Sequence, residues 1–436
     1  MNKMQVIIIA FSVIIVIVAL LVFRKEPPST NIDQQTSELV VWGIDPESVF
    51  HDMLRVYESE FRTRVTYIEK DPRTFDRNIL EALASKTPPD LIIAEEDWIL
   101  SNRDKIVPPK PTIVSADLAE QSIVNLASSL FIERVADGTK IQKNIIALPL
   151  WLDPLVLYWN KDLFAQVSPD PIAKPPENWD TFLNDSKGLT ILGDGGRVVR
   201  SGAALGRAKN IPLYKEILSV LLLQLDVDIE GAIYSGGAKE KTASAESVIR
   251  FYTDFGNPST APKGAYTWNT RMPEPRMLFA EGKLGMMIDL YSFARELRSK
   301  NPHLSFDIAP LPQINAARKV NYARVRAITV PRTAKTPDAS WLFARWLASG
   351  KAIESILKEY DAAPVGRDLL ESGKINSLLK TASLTARRPR ETYPLENSRI
   401  LSGLIESVAD GQKTVSEAIT DARTAYGLFI KSRQGR

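Results

Sequence analysis

The sequence predicts an α/β protein preceded by one membrane-spanning helix. Short, continuous apolar runs alternate with segments of helical hydrophobic spacing over residues 38–95, the pattern of a parallel sheet covered on both faces. Ahead of them lies "VIIIAFSVIIVIVALLVF" at residues 6–23, which is apolar except for Ser12. That run is about as long as a helix needs to cross a hydrocarbon core of ~30 Å. Hydrophobic residues make up 44% and charged residues 25% of the 436, a composition that suits a folded protein and excludes a disordered one.

The apolar run is flanked by Lys3 on one side and by Arg24 and Lys25 on the other, so the positive charges do not set its orientation. A cleaved signal would end in small residues, whereas "RKEPPSTNIDQQTS" follows here, and an uncleaved anchor is expected. Residues 26–37 are polar and contain proline, as a tether does. "ELVVWG" then reads as a buried strand. The next stretch repeats Val49, Met53, Leu54, Val56, Tyr57 and Phe61 at helical spacing. "VTYIEK" is a second strand, and "TFDRNILEALAS" is a helix stopped by "KTPPD". "DLIIA" is a third strand, which completes a parallel wind. "GDGGRVVRSGAALG" matches no phosphate-binding pattern and reads as a loop before a helix.

The net charge of +3 gives no reason to expect nucleic acid. The absence of cysteine excludes disulfides, thiolate metal sites and cysteine nucleophiles. His51 and His303 are the only histidines and have no visible third partner, so neither a metal site nor a histidine-dependent triad is expected, and no cofactor is implied. A pair of carboxylates for glycoside hydrolysis needs only two acids, but no pair stands out.

In parallel sheets ligands sit outside the carboxyl ends of the strands. The first strand ends in Trp42, Gly43 and Asp45, and the third in Glu95, Glu96, Asp97 and Trp98. An aromatic residue and a carboxylate at both ends point to a binding site. The bland reading is that Trp98 packs on the body and that Glu96 and Asp97 cap the following helix.

Six later segments occur in the order of a known family. They are "PPDLIIA", "ALPLWLDPLVLYWNKDLF", "PPENWDTFLND", "MLFAEGKLGMMIDLYSFARELR" followed by "FDIAPLPQ", "ARVRAITVPRTAKTPDASWLFARWLAS" and "AAPVGRDLL". Together they resemble the family 1 extracellular solute-binding proteins of ABC importers, the maltose and oligosaccharide type. The chain departs from that pattern in lacking a lipid-accepting cysteine and in carrying Asp289-Leu290 where a glycine is common.

The resemblance implies a periplasmic-binding-protein-like fold, with two α/β lobes joined by a three-crossing hinge. Residues 1–25 would be the cytoplasmic start and anchor, and 26–37 the tether. Lobe one would take 38–150 and 327–362, and lobe two 151–322 and 366–436, with further crossings at 323–326 and 363–365. The first crossing would be the segment at residues 145–164, with Trp151 and Asp153 facing a cleft and Pro154 at the bend. Tyr158, Trp159 and Asn160 read as structural, with Asn160 capping the next helix.

A sugar offers an apolar ring face and a polar rim, which call for aromatic platforms and hydrogen-bonding side chains. Trp42, Trp151, Trp268 and Tyr291 are the candidate platform, and Glu95, Asp153, Asp289 and Arg326 the candidate rim. Trp179, Trp341 and Trp346 lie at core positions. The expected function is that of a membrane-anchored, extracytoplasmic receptor passing a small molecule, first of all a carbohydrate, to ABC permease subunits. A surface glycoside-active enzyme and a sensor or scaffold without a transporter are the alternatives, and a polyamine is the alternative ligand.

Overall fold

The computed structural model describes residues 38–434, except 86, 138–139, 168–172, 236–237, 260–264 and 390. The expected anchor and tether lie outside these residues. Among the described residues no helix is long and apolar enough to cross a membrane.

Strand β1 (Glu38–Gly43) pairs in parallel with both β2 (Arg64–Glu69) and β3 (Leu91–Glu95). The helices His51–Phe61 and Phe75–Ala84 connect them, as the hydrophobic spacing predicts. Leu91 and Ile93 pack on one face of β3, and Ile92 and Ala94 on the other. The strand is therefore buried on both sides, which is why its sequence runs apolar without alternation.

Two short strands, β4 (Ile132–Asp137) and β5 (Lys140–Ile145), form a separate antiparallel pair. Strand β6 (Leu148–Asn160) follows and organises the rest. Beyond it come β7 (Ile191–Leu192), β8 (Val198–Ala203), β9 (Leu284–Leu290), β10 (Phe306–Ala309), β11 (Ala323–Thr329) and β12 (Ala363–Pro364). The main sheet runs β2-β1-β3-β11-β6-β9-β8-β7.

The first half of β6 pairs with β11 and β12, and the second half with β9 and β10. The change of partner falls at Pro154, which faces Ala323 on β11, whereas Leu155 already faces Leu290 on β9. A proline has no N–H to give to a ladder. Its carbonyl is used instead, accepting the N–H of Tyr291 at 2.9 Å. The proline thus stands where a long buried strand exchanges one set of ladder partners for another. Asn160 ends the strand and accepts the N–H of Leu163 at 3.1 Å, the capping role read from the sequence.

The glycine-rich stretch near residue 200 is not a simple loop, because it contains β8, which runs parallel to β9. Its Gly202 lies against the backbone of Ser186, where a Cβ would come within 1.9 Å of the carbonyl oxygen. That glycine serves close strand–helix packing, which composition alone does not separate from a turn.

Three hydrophobic clusters fill the molecule. One gathers the second half of β6, β9 and the helices Tyr214–Gln224, Lys239–Asp254 and Pro394–Ala409. The other two cover opposite faces of β1, β3 and the first half of β6, one of them around Trp341 and Phe343, the other around Trp98 and Phe131. Leu370, Leu379 and Ala386 belong to the last of these.

Candidate functional site

The carboxyl ends of β1 and β3 open on a cavity of about 920 Å³. One wall is the start of the helix Phe75–Ala84 together with the helix Glu96–Ser101, and it presents Phe75, Asp76 and Trp98. The opposite wall is the segment at residues 392–396 with Phe429 and Arg433 from the last helix, Val415–Gln434. Tyr393 and Phe429 meet edge to face at 5.1 Å. The Arg433 guanidinium covers both rings, 5.5 and 5.8 Å from their centroids. This wall is pinned from behind by Glu230, which accepts the Thr392 N–H at 2.5 Å and its hydroxyl at 3.2 Å. Trp98 is buried, and its indole N–H has no hydrogen-bond partner among the described residues.

The floor is ionic. Arg388, with 3% of its side chain exposed, donates to Glu96 and Asp97. Glu96 also accepts the Val325 N–H at 2.7 Å. Lys215 reaches Asp97 at 3.4 Å and Glu391 at 3.1 Å. Arg324 joins Glu216 at 2.6 Å to Glu95 at 3.4 Å. Arg326 joins Asp45 at 3.3 Å to Glu95 at 3.6 Å.

Burial, outweighing the attraction of Arg388, pushes Glu96 up to about 7. Burial also works on Asp97, but Arg388 and Lys215 outweigh it and hold that carboxyl below its ordinary value. A proton entering the pair therefore settles on Glu96.

That asymmetry gives a pH dependence with a definite sign. A carboxyl whose folded value is raised holds its proton more tightly in the folded state, so folding stability falls as pH rises from the ordinary 4.5 to about 7. Glu96→Gln cannot titrate and should lack this slope, whose ceiling is about 1.4 kcal/mol per pH unit. Urea unfolding at pH 5 and pH 7.5 should show the variant gaining on the parent at the higher pH. A difference between the two proteins that does not change with pH would contradict the assignment.

The residues expected from the sequence scatter. Glu95 lines the cavity and is the one candidate that does. Trp42 is half-buried at the end of β1, with the Lys70 ammonium 3.7 Å from its ring centroid, so its open face is already covered. Trp151 is 4% exposed and stacks on Tyr360 at 4.8 Å, so its ring is spent on packing between β6 and the helix Gly350–Tyr360. Trp268, contrary to the expectation of a platform, is 0% exposed inside the core, and its indole donates to Asn210 at 3.1 Å.

Asp289 is buried and holds Arg276 through two bonds of 2.8 and 2.7 Å, so it balances a charge of its own chain. Arg326 is enclosed between Asp45 and Glu95. Asp153 is half-buried and accepts the N–H and hydroxyl of Ser292 at 3.1 and 2.5 Å; burial pushes it up to about 6 against those bonds. Tyr291 opens on a different, smaller cavity of about 330 Å³ behind β12.

The aromatic residues that do line the large cavity include Trp98, Tyr393 and Phe429. Trp98 stood at a strand end in the sequence. Tyr393 and Phe429 carried no local signal, since only the tertiary fold brings the last helices back over β3.

A family model described as bacterial extracellular solute-binding protein matches residues 64–353, more than half of the chain. The chain belongs to this family. Among relatives of this solute-binding protein, the galactooligosaccharide-binding protein of Bacillus subtilis is 21% identical over 439 residues, covering 94% of each chain. The maltose/maltodextrin-binding domain from Bdellovibrio bacteriovorus, solved with maltotriose, has a TM-score of 0.66 at 16% identity and covers 90% of this chain and 100% of its own. A cyclo/maltodextrin-binding protein in complex with maltotetraose has a TM-score of 0.68 at 15% identity, covering 92% and 98%. These structures share the periplasmic-binding fold of the solute-binding protein described here, and the family consists of binding proteins.

Proposed function

We propose that this solute-binding protein captures an oligosaccharide in the cavity between Trp98 and Tyr393 and delivers it to an ABC importer. The observation that carries this reading is the cavity itself. It lies outside the carboxyl ends of β1 and β3, with aromatic rings on facing walls and acids and arginines between them. Rings stack on the apolar faces of sugars, and the charged groups bond their hydroxyls. The sugars named for the similar proteins above lend it weight. Glu95 stays in the proposed site, joined by Asp76, Trp98, Tyr393, Phe429 and Arg433.

In the same reading the apolar run at residues 6–23 holds the receptor on the extracytoplasmic side of the membrane. The two bodies that share β6 move about its proline and about β11 and β12, with lobes at residues 38–150 and 327–362 and at 151–322 and 366–436.

A thermal-shift screen over malto-, galacto- and manno-oligosaccharides tests the ligand class. A ligand present at 100 times its Kd adds about 2.7 kcal/mol to stability. Polyamines that shift the melting temperature while every sugar fails would overturn the carbohydrate reading. Tyr393→Ala should weaken the sugar found in this way by about 2 kcal/mol, or roughly 30-fold in Kd by calorimetry, with the melting temperature of the free protein within a few degrees of the parent. An unchanged Kd would remove Tyr393 from the site.

A further inference from the structure

The floor of the cleft holds ion pairs that join the two halves of the molecule to each other. Asp97 follows β3, whereas Lys215 and Glu216 lie in the first turn of the helix Tyr214–Gln224, which packs in the cluster around β9. Asp97 nonetheless meets Lys215 at 3.4 Å, and Arg324 of β11 ties Glu216 at 2.6 Å to Glu95 at 3.4 Å. Each link is buried at one end, since Lys215 and Glu216 are each 6% exposed, while Asp97, Arg324 and Glu95 at the other end face the cavity with side chains 32%, 28% and 36% exposed.

If the walls separated along these lobes, Asp97 would lose Lys215 and Arg388 together, and the link through Arg324 would have to break on one side. A buried charge tolerates a partner or full hydration but little in between. The floor therefore has two discrete arrangements, paired and wet, as a bistable element requires.

We propose that these pairs are a latch: the chain's own side chains hold the floor of the cleft shut without ligand, and the ligand enters the outer chamber between Trp98 and Tyr393 of a receptor already closed at its base. The proposal concerns the ligand-free protein, so it stands or falls independently of the carbohydrate reading.

The chain has no cysteine, so a spin-label pair can be introduced without background. Glu81 and Leu428 are exposed, on the helix Phe75–Ala84 and on the last helix, one behind each wall. With Glu81→Cys and Leu428→Cys labelled in the full chain in detergent, the ligand-free parent should give one short-distance population by double electron–electron resonance. Lys215→Met removes one link, and Glu216→Gln removes the charge of another while keeping its shape. Each should add a longer population, raising the open-to-closed ratio about tenfold or more, the factor expected for one charged hydrogen bond lost.

Far-UV circular dichroism and a cooperative melt establish that each variant is folded. Should Lys215→Met fail that check, Glu216→Gln decides alone. A parent that is already mainly in the long-distance state overturns the latch, and so do folded variants with the parent's distance distribution.

Discussion

Arg388→Ala is expected to cost about 3–5 kcal/mol of folding stability, the range for removing one member of a buried ion pair. The partner it would abandon decides the size. Glu96 is 2% exposed and, among the described residues, takes one further bond, from the Val325 N–H. Asp97 and Glu391 would also lose their contacts with Arg388, although Lys215 remains beside both. The contrast is with a pair such as Lys413 and Asp421, whose side chains are 43% and 58% exposed and whose loss should cost under about 1 kcal/mol. Glu96 already tends to hold a proton, so Arg388→Ala combined with Glu96→Gln should be less damaged than Arg388→Ala alone. Urea unfolding of the two single variants and the double variant reads this directly. A midpoint for Arg388→Ala equal to the parent's would mean that the floor is hydrated and the network slack.

The wind of β1, β2 and β3 was legible because β3 is buried on both faces, β1 and β2 bury alternate residues and each helix buries one face, so hydrophobic pattern marks the elements. The interruption of β6 at Pro154 was legible for a related reason. A proline inside an apolar run has few places to go, and a change of ladder partner is one of them. The site was legible only in part. Glu95 and Trp98 stand at a strand end, where chain direction fixes their position. Tyr393, Phe429 and Arg433 reach the same cavity from the far end of the chain, and no spacing in the sequence encodes that return. Trp268 and Asp289 misled in the other direction. A tryptophan between helical segments and an acid at a strand end look the same whether the ring and the charge meet a ligand or, as here, Asn210 and Arg276 of the same chain.

Trp268→Ala should destabilise the protein by about 3–5 kcal/mol, the range for deleting a buried aromatic side chain. The ring is 0% exposed and sits within the cluster around β9 and the helix Lys239–Asp254. Its backbone is held as well, since the N–H groups of Thr267 and Trp268 both reach the Phe255 carbonyl at 3.0 Å. The truncated side chain therefore could not swing away to let the core close. The loss would also leave the Asn210 side-chain oxygen, which accepts the indole N–H at 3.1 Å, without that donor inside the protein. Trp268→Phe keeps most of the volume but not the donor, and should fall between the parent and the alanine variant. A cleft residue such as Tyr393 should behave in the opposite way, with affinity lost and stability kept. Thermal unfolding of ligand-free Trp268→Ala, set beside its sugar affinity, distinguishes the two roles: a melting temperature like the parent's together with abolished binding would return Trp268 to the ligand site and require an open conformation that exposes it.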